Sequence, residues 1–230
     1  MDLLDSSVKE RFLRNPSEFY AIVQAFPPET RHVVIDEIQK VPKLLDEVHR
    51  LIEETDKIFI LTGSSAQKLK HGGANLLAGR AFVYHLFSLS CFELKDQFNL
   101  DQALRWGTLP KIFSLKEDAE KNEFLRAYSD TYLKEEIWNE QVIRKLQPFR
   151  RFLEVAAQCN GKIINYAHIA RDVGVDGKTI KEYFCILEDT MIGFFLEPFH
   201  HSFRKRLVEK PKFYFFDPGV VRSLARGLVA

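Results

Sequence analysis

Cysteine is scarce in this chain. Cys91, Cys159 and Cys185 are the full set, odd in number and far apart. A disulfide framework needs paired, patterned cysteines, so the thiols read as reduced and packed, with a cytoplasmic location expected. Long apolar runs are missing too. No stretch reaches the roughly 18–20 residues that a membrane-spanning helix needs, so no membrane partner is expected. Met1-Asp2 opens on acid, without the basic-then-apolar pattern of a secretory leader, and none is expected. The seven histidines show no metal-ligand spacing, and the adjacent His200 and His201 point to opposite faces of any strand. Internal repeats and low-complexity tracts are absent. Strong charge of one sign is absent as well: the net charge is +1, which by itself names no partner. Its distribution is uneven, however. Residues 1–143 hold 18 Lys/Arg against 23 Asp/Glu, and residues 144–230 hold 15 against 9. That asymmetry argues for two domains with different partners.

What is present centres on His32-Val33-Val34-Ile35-Asp36-Glu37-Ile38-Gln39. Three apolar neighbours in a row predict a strand buried on both faces, and two carboxylates close it. In open α/β sheets the ligand crevice lies at the carboxyl ends of strands. Two acids there suit phosphoryl transfer, the first holding Mg²⁺ and the second orienting or deprotonating a water. The plain alternative is a strand running into a polar turn. A helix follows, with Pro42 near its first turn and Val41, Leu44, Leu45, Val48, Leu51 and Ile52 on one face. Next comes a second apolar strand, residues 57–61, ending in Thr62-Gly63-Ser64-Ser65. Strand–helix–strand with polar residues at both strand ends predicts a parallel, right-handed unit, acids and hydroxyls facing one crevice.

Before that unit, Met1 to Asp5 reads as the end of a strand. Ser6 or Ser7 then caps a helix ending near Asn15, with Ser7 and Glu10 at capping-box spacing. A second short helix covers 17–26. After it, 66–79 reads as a connection, 81–87 as a strand and 88–94 as a turn into a helix. Residues 96–114 have no strong period, with a turn at 106–110. A long helix is expected over 116–137. The last third reads as a winged helix: a helix around Phe149–Ala156, a second over 165–173, a Gly174 turn, a third over 176–190, and wing strands at 191–199 and 212–216. The domains expected are 1–94, a helical connector 95–145, and 146–230.

The pieces Val34-Ile35-Asp36-Glu37-Ile38-Gln39-Lys40-Val41-Pro42, Leu61-Thr62-Gly63-Ser64-Ser65, Leu77-Ala78-Gly79-Arg80 and Leu89-Ser90 come in a telling order. So do Gly161-Lys162-Ile163-Ile164-Asn165, Lys205-Arg206-Leu207 and Pro211-Lys212-Phe213-Tyr214-Phe215-Phe216-Asp217. Together they resemble a prokaryotic AAA-type P-loop ATPase family with a winged-helix domain of unknown function behind it. The likeness covers nearly the whole chain. It implies an α/β fold: part of a P-loop NTPase parallel sheet with flanking helices, carrying the Walker B and sensor-1 strands, then the winged helix. It implies ATP and Mg²⁺ as ligands.

By the same resemblance Asp36 helps coordinate Mg²⁺ through water, Glu37 polarises the attacking water, and Ser64 or Thr62 senses the γ-phosphate. Arg80 resembles an arginine finger or sensor, its alternative being a plain surface arginine. DNA contact would use Lys178 and Lys181 on the third helix and Arg204, Lys205 and Arg206 on the wing, against the opposing charges of Glu182, Glu188 and Asp189. Family members also open with a strand, a Gly-rich loop and a helix, and continue past the point where this chain stops, so truncation at both ends is expected. The sequence contains no G-x-x-x-x-G-K-[ST]. Gly177-Lys178-Thr179 matches only its end, with Asp172 where the first Gly belongs, and reads as a helix start. Hydrolysis by the chain alone is therefore not expected, and a non-enzymatic module binding DNA or a protein partner is the alternative reading.

Overall fold

The computed structural model describes residues 1–63, 77, 79–132, 146–199 and 210–226. It divides into two compact units, Met1–Tyr84 and His85–Ala230.

The first unit starts with α1 (Ser6–Arg14) and α2 (Ser17–Gln24). Asp5, rather than Ser6 or Ser7, caps α1: its carboxylate accepts from the backbone N–H groups of Ser7 and Val8. A carboxylate at that position satisfies orphan donors and complements the helix dipole. Strands β1 (His32–Ile35) and β2 (Ile58–Leu61) pair in parallel, with Ile35 opposite Leu61, and α3 (Leu44–Glu54) crosses between them. On the other side of β1, Asp2 forms a parallel bridge with Asp36. Asp36 N–H donates to Met1 O at 2.9 Å and Leu3 N–H to Asp36 O at 3.2 Å. One face of this small sheet packs on the helices: Val33, Ile35, Leu44, Leu45, Val48 and Leu51 are buried with Phe12, Phe19 and Val23.

Two further expectations fail. β1 is buried on one face only. Val33 and Ile35 point into the core, while Val34, Ile58 and Ile60 are 45%, 52% and 45% exposed. An apolar run shows that a strand tolerates burial, not what covers it; among the described residues no helix lies over that face. The strand expected over 81–87 does not form. Among the described residues the backbone there has no ladder partner, and Phe82, Val83, Tyr84, Leu86 and Phe87 stand exposed. β-propensity describes fit to a neighbouring strand, and without that strand it specifies nothing.

The second unit begins with the short helix α4 (Cys91–Leu94), closed by a capping box between Ser90 and Glu93. α5 (Leu100–Trp106) follows in the stretch that shows no period, since seven residues span only two turns. α6 (Asp118–Ala127) then passes into a wide π-helical turn, Tyr128–Tyr132, where one long helix was expected. α7 (Leu146–Gln158), α8 (Tyr166–Val173) and α9 (Gly177–Asp189) come next, then the antiparallel strands β3 (Gly193–Leu196) and β4 (Lys212–Phe215), and α10 (Pro218–Leu224). Ile163 adds an antiparallel bridge to Lys212. Gly174 ends α8 at φ 82°, a left-handed turn that glycine takes without strain, and Asp176 caps α9 through Thr179. Gly177-Lys178-Thr179 is thus the start of a helix. The core joins Phe152, Ile180, Phe184, Leu187, Phe213 and Phe215. α5 and α6 pack on α10, burying Trp106, Ile112 and Leu125, so residues expected as a connector share this unit's interior. No described helix is long and apolar enough to cross a membrane.

Candidate functional site

Burial of Val33 and Ile35 fixes β1, and the parallel register with β2 then fixes what meets at its carboxyl end. Thr62 N–H donates to Ile35 O at 3.0 Å, and Ile38 N–H donates to Thr62 O at 3.0 Å. These bonds lay Thr62 against the acid pair. Its hydroxyl donates to Asp36 Oδ1 in a short hydrogen bond and accepts from Glu37 N–H at 3.4 Å. Asp36 and Glu37 are half-buried and Thr62 is exposed, so the cluster faces solvent.

Glu37 itself is left-handed, at φ 59° and ψ 42°. A non-glycine residue pays roughly 1–2 kcal/mol for that conformation. The turn it makes sends the chain into a 3-10 turn, Ile38–Lys40, and swings Gln39 back. Gln39 is buried, and its Nε2 donates to Glu37 Oε2 at 2.8 Å. Gly63 completes the fit: a Cβ there would stand 2.4 Å from Gln39 Oε1. Sequence reasoning missed Gln39. Its position two residues past the acid pair, beside a glycine on the neighbouring strand end, was the available signal.

Arg80 is placed elsewhere. Its guanidinium pairs with Glu53 in the last turn of α3, and that bond holds the Glu53 carboxyl below the usual carboxylate range. α3 has eleven residues, about 16 Å at the helical rise, and it returns the chain from the carboxyl end of β1 to the amino end of β2. Arg80 therefore sits at the opposite end of the sheet from Asp36 and Glu37. Ser64 lies outside the described residues, as do Arg204, Lys205 and Arg206. On α9 Lys178 is exposed, 4.0 Å from Glu182, and Lys181 is exposed one turn on.

Chemically the first cluster offers a carboxylate, a hydroxyl hydrogen-bonded to it, and a second carboxylate held by an amide. Among the described residues no three His, Cys, Asp or Glu side chains form a group that could hold a metal alone. Asp36 could serve a cation that takes its other ligands from phosphate and water, with the Thr62 hydroxyl beside it free to meet a phosphate oxygen.

Comparison with known proteins gives two family matches. A model described as "AAA domain" matches residues 1–95, and one described as "Domain of unknown function (DUF8612)" matches residues 97–228. An uncharacterized protein of Haemophilus influenzae is 21% identical over 235 residues, covering 94% of this chain and 58% of its own length. The uncharacterized protein MJ1544 of Methanocaldococcus jannaschii is 23% identical over 211 residues, covering 82% of this chain and 47% of its own. The chain thus spans about half the length of the curated relatives it matches. No solved structure matches.

Proposed function

Since the chain belongs to the DUF8612 family and carries an AAA-type ATPase-like region ahead of that domain, we propose that its first unit supplies the acid-and-hydroxyl side of a MgATP site. The observation that carries this is the hydrogen-bonded trio Asp36, Thr62 and Glu37 at the carboxyl ends of two parallel strands. Asp36 would hold the magnesium ion. Glu37, fixed by Gln39, polarises the water that attacks. Thr62, or Ser64 beyond it, contacts the γ-phosphate. Arg80 joins this chemistry only after leaving Glu53, toward a phosphate presented from outside its own sheet end. Magnesium supplies charge neutralisation on the phosphates when bound.

What this polypeptide does not encode is the glycine-rich loop and lysine that grip the phosphates. The 230-residue chain is accordingly expected to bind MgATP weakly and to release no phosphate. Amide NMR at millimolar MgATP should move Glu37, Ile38, Thr62 and Gly63, and Asp36→Asn should abolish those shifts. Shifts confined to other residues would overturn the site. Micromolar affinity with turnover in calorimetry and phosphate-release assays would overturn the half-site argument.

A second reading rests on the second unit: α7, α8 and α9, the Gly174 turn, and the β3–β4 hairpin have the order of a winged helix. In it α9 would enter the major groove of DNA, with Lys178 and Lys181 on phosphates and the Arg204-Lys205-Arg206 segment as the wing. A protein partner is the alternative occupant. A gel shift at low and moderate salt tests the DNA form. Changing Lys178 and Lys181 to Ala is expected to weaken the shift about equally on all sequences and to lower the salt slope by roughly one for each phosphate no longer neutralised. Changing Arg204, Lys205 and Arg206 should do the same. No shift, or one indifferent to all five changes, removes the DNA reading.

A further inference from the structure

The second unit contains a cavity of about 680 Å³ between α7, the Tyr128–Tyr132 turn and the end of α10. Four arginines line it: Arg126 from α6, Arg150 and Arg151 from α7, and Arg226 just past α10. A guanidinium cannot shed its charge near neutrality. Among the described residues two carboxylates, Asp130 and Glu154, share the wall with these four arginines. Glu154 is committed to Arg226, in a short ion pair. Arg150, one helical turn before Glu154, therefore loses the partner its spacing offers. Neither Arg150 nor Arg151 has a carboxylate partner among the described residues.

A second, independent observation points the same way. Ser129 lines the cavity and is 2% exposed, and its Oγ has no hydrogen-bond partner. It sits in the π-helical turn, a backbone form that often marks functional positions. A buried hydroxyl left without a partner costs stability, so Ser129 would gain from an acceptor brought to this wall. Leu153 and Leu224, both buried, also line it. The wall thus combines forked cations and buried leucines, with one unpartnered hydroxyl buried beside it, in a volume suited to a small ligand.

We propose that this cavity binds a multiply charged phosphate group, with Arg150 and Arg151 as its two forks and Ser129 as a third donor. Paired guanidiniums recognise phosphate oxygens bidentately, which a lysine cluster does not. A phosphate oxygen seated between the two forks accepts from Ser129 Oγ after a rotation about its χ1 bond. The phosphate comes either from a free polyphosphate or from a nucleic-acid backbone. This site shares no residue with the Asp36 cluster or with the lysines of α9, so its test is separate from theirs.

Calorimetric titration of the full chain with inorganic pyrophosphate, and with a short DNA duplex, decides the matter. Pyrophosphate is expected to bind at one site per chain. Arg150→Gln and Arg151→Gln should each weaken it about tenfold or more, and Ser129→Ala severalfold. Arg14→Gln, on the exposed surface of the first unit, should leave it unchanged. Circular dichroism and the unfolding midpoint check that each variant folds; Arg151→Lys, which keeps charge and loses the fork, still separates recognition from folding. Duplex binding lost in the same arginine variants, with pyrophosphate weak, assigns the phosphate to a nucleic-acid backbone. Absence of binding by both probes, or binding indifferent to Arg150 and Arg151, overturns the proposal.

Discussion

Asp217→Ala is expected to destabilise the second unit by roughly 3–5 kcal/mol, the sum of a lost helix cap and two stranded amides. Asp217 is fully buried. One carboxylate oxygen caps α10, accepting from Val220 N–H at 3.1 Å; the other accepts from Thr108 N–H at 2.7 Å. The Gly219 and Leu109 N–H groups also lie near enough to favour the ionised carboxylate. A single side chain thus ties the loop after α5 to the start of α10, across 109 residues of chain. The fit is close on both sides. A Cβ on Gly107 would fall 1.9 Å from Asp217 Oδ1, and a Cβ on Gly219 would fall 2.1 Å from Trp106 O. Trp106 is buried beneath, with Arg105 and Arg222 each 4.8 Å from its ring. Removing the carboxylate takes away the acceptor of the Thr108 and Val220 N–H groups. Urea unfolding followed by tryptophan fluorescence checks this, because Trp106 and Trp138 both lie beyond residue 84. A midpoint within about 0.3 M of wild type, at a slope of about 1–3 kcal/mol per M, would refute it.

The same group sets a pH dependence whose sign is fixed. Burial, the largest influence, raises the Asp217 carboxyl above its ordinary value, and the four backbone donors pull it part of the way back. A folded pKa above the unfolded one means the native state holds its proton longer. Stability from this residue is therefore fully present below the unfolded carboxylate range, near 4, and falls as pH rises through the raised folded value. In Asp217→Asn that slope should vanish, so the gap between variant and wild type narrows as the pH rises through that window.

How much of this could be read beforehand depends on how local the cause is. The β1–α3–β2 unit was legible, because a β-branched run and a one-faced helix are local patterns. The meeting of Asp36 with Thr62 follows from the parallel register, so it too was within reach. The open face of β1 was not, since Val34 carries no mark of what fails to cover it. Phe82 to Phe87 has the composition of a strand, but a strand is a relation between two segments. Arg80 has no sequence signature that distinguishes a partner such as Glu53 from a phosphate. Asp217-Pro218 is a readable helix start, cap then proline, yet its burial depends on a loop 109 residues earlier. The arginines of the cavity come from α6, from α7 and from just past α10, and only the adjacent Arg150 and Arg151 are neighbours in sequence.

Phe184→Ala carries the other large expected effect. Phe184 is 1% exposed, at the middle of α9. Its ring meets Phe152 edge-on at 4.9 Å and Phe213 at 4.9 Å, with Tyr166 and Phe195 at 6.1 Å. It therefore holds α9 to α7, to α8 and to both strands of the hairpin at once. Edge-to-face pairs add about 0.5–1.5 kcal/mol each beyond burial, and a buried Phe→Ala change costs about 3–5 kcal/mol in transfer and cavity terms. Against a total of about 5–15 kcal/mol, that loss should lower the fluorescence-detected urea midpoint by roughly 2 M. Phe184→Leu, which refills most of the volume, should recover more than half of the shift. The first unit's core shares no residue with this cluster, so the amide signals of Val33, Ile35 and Thr62 should persist at urea concentrations where the variant's tryptophan signal is already lost. If those signals and the tryptophan transition collapse together, Phe184 holds more than its own unit, and the two cores do not melt separately.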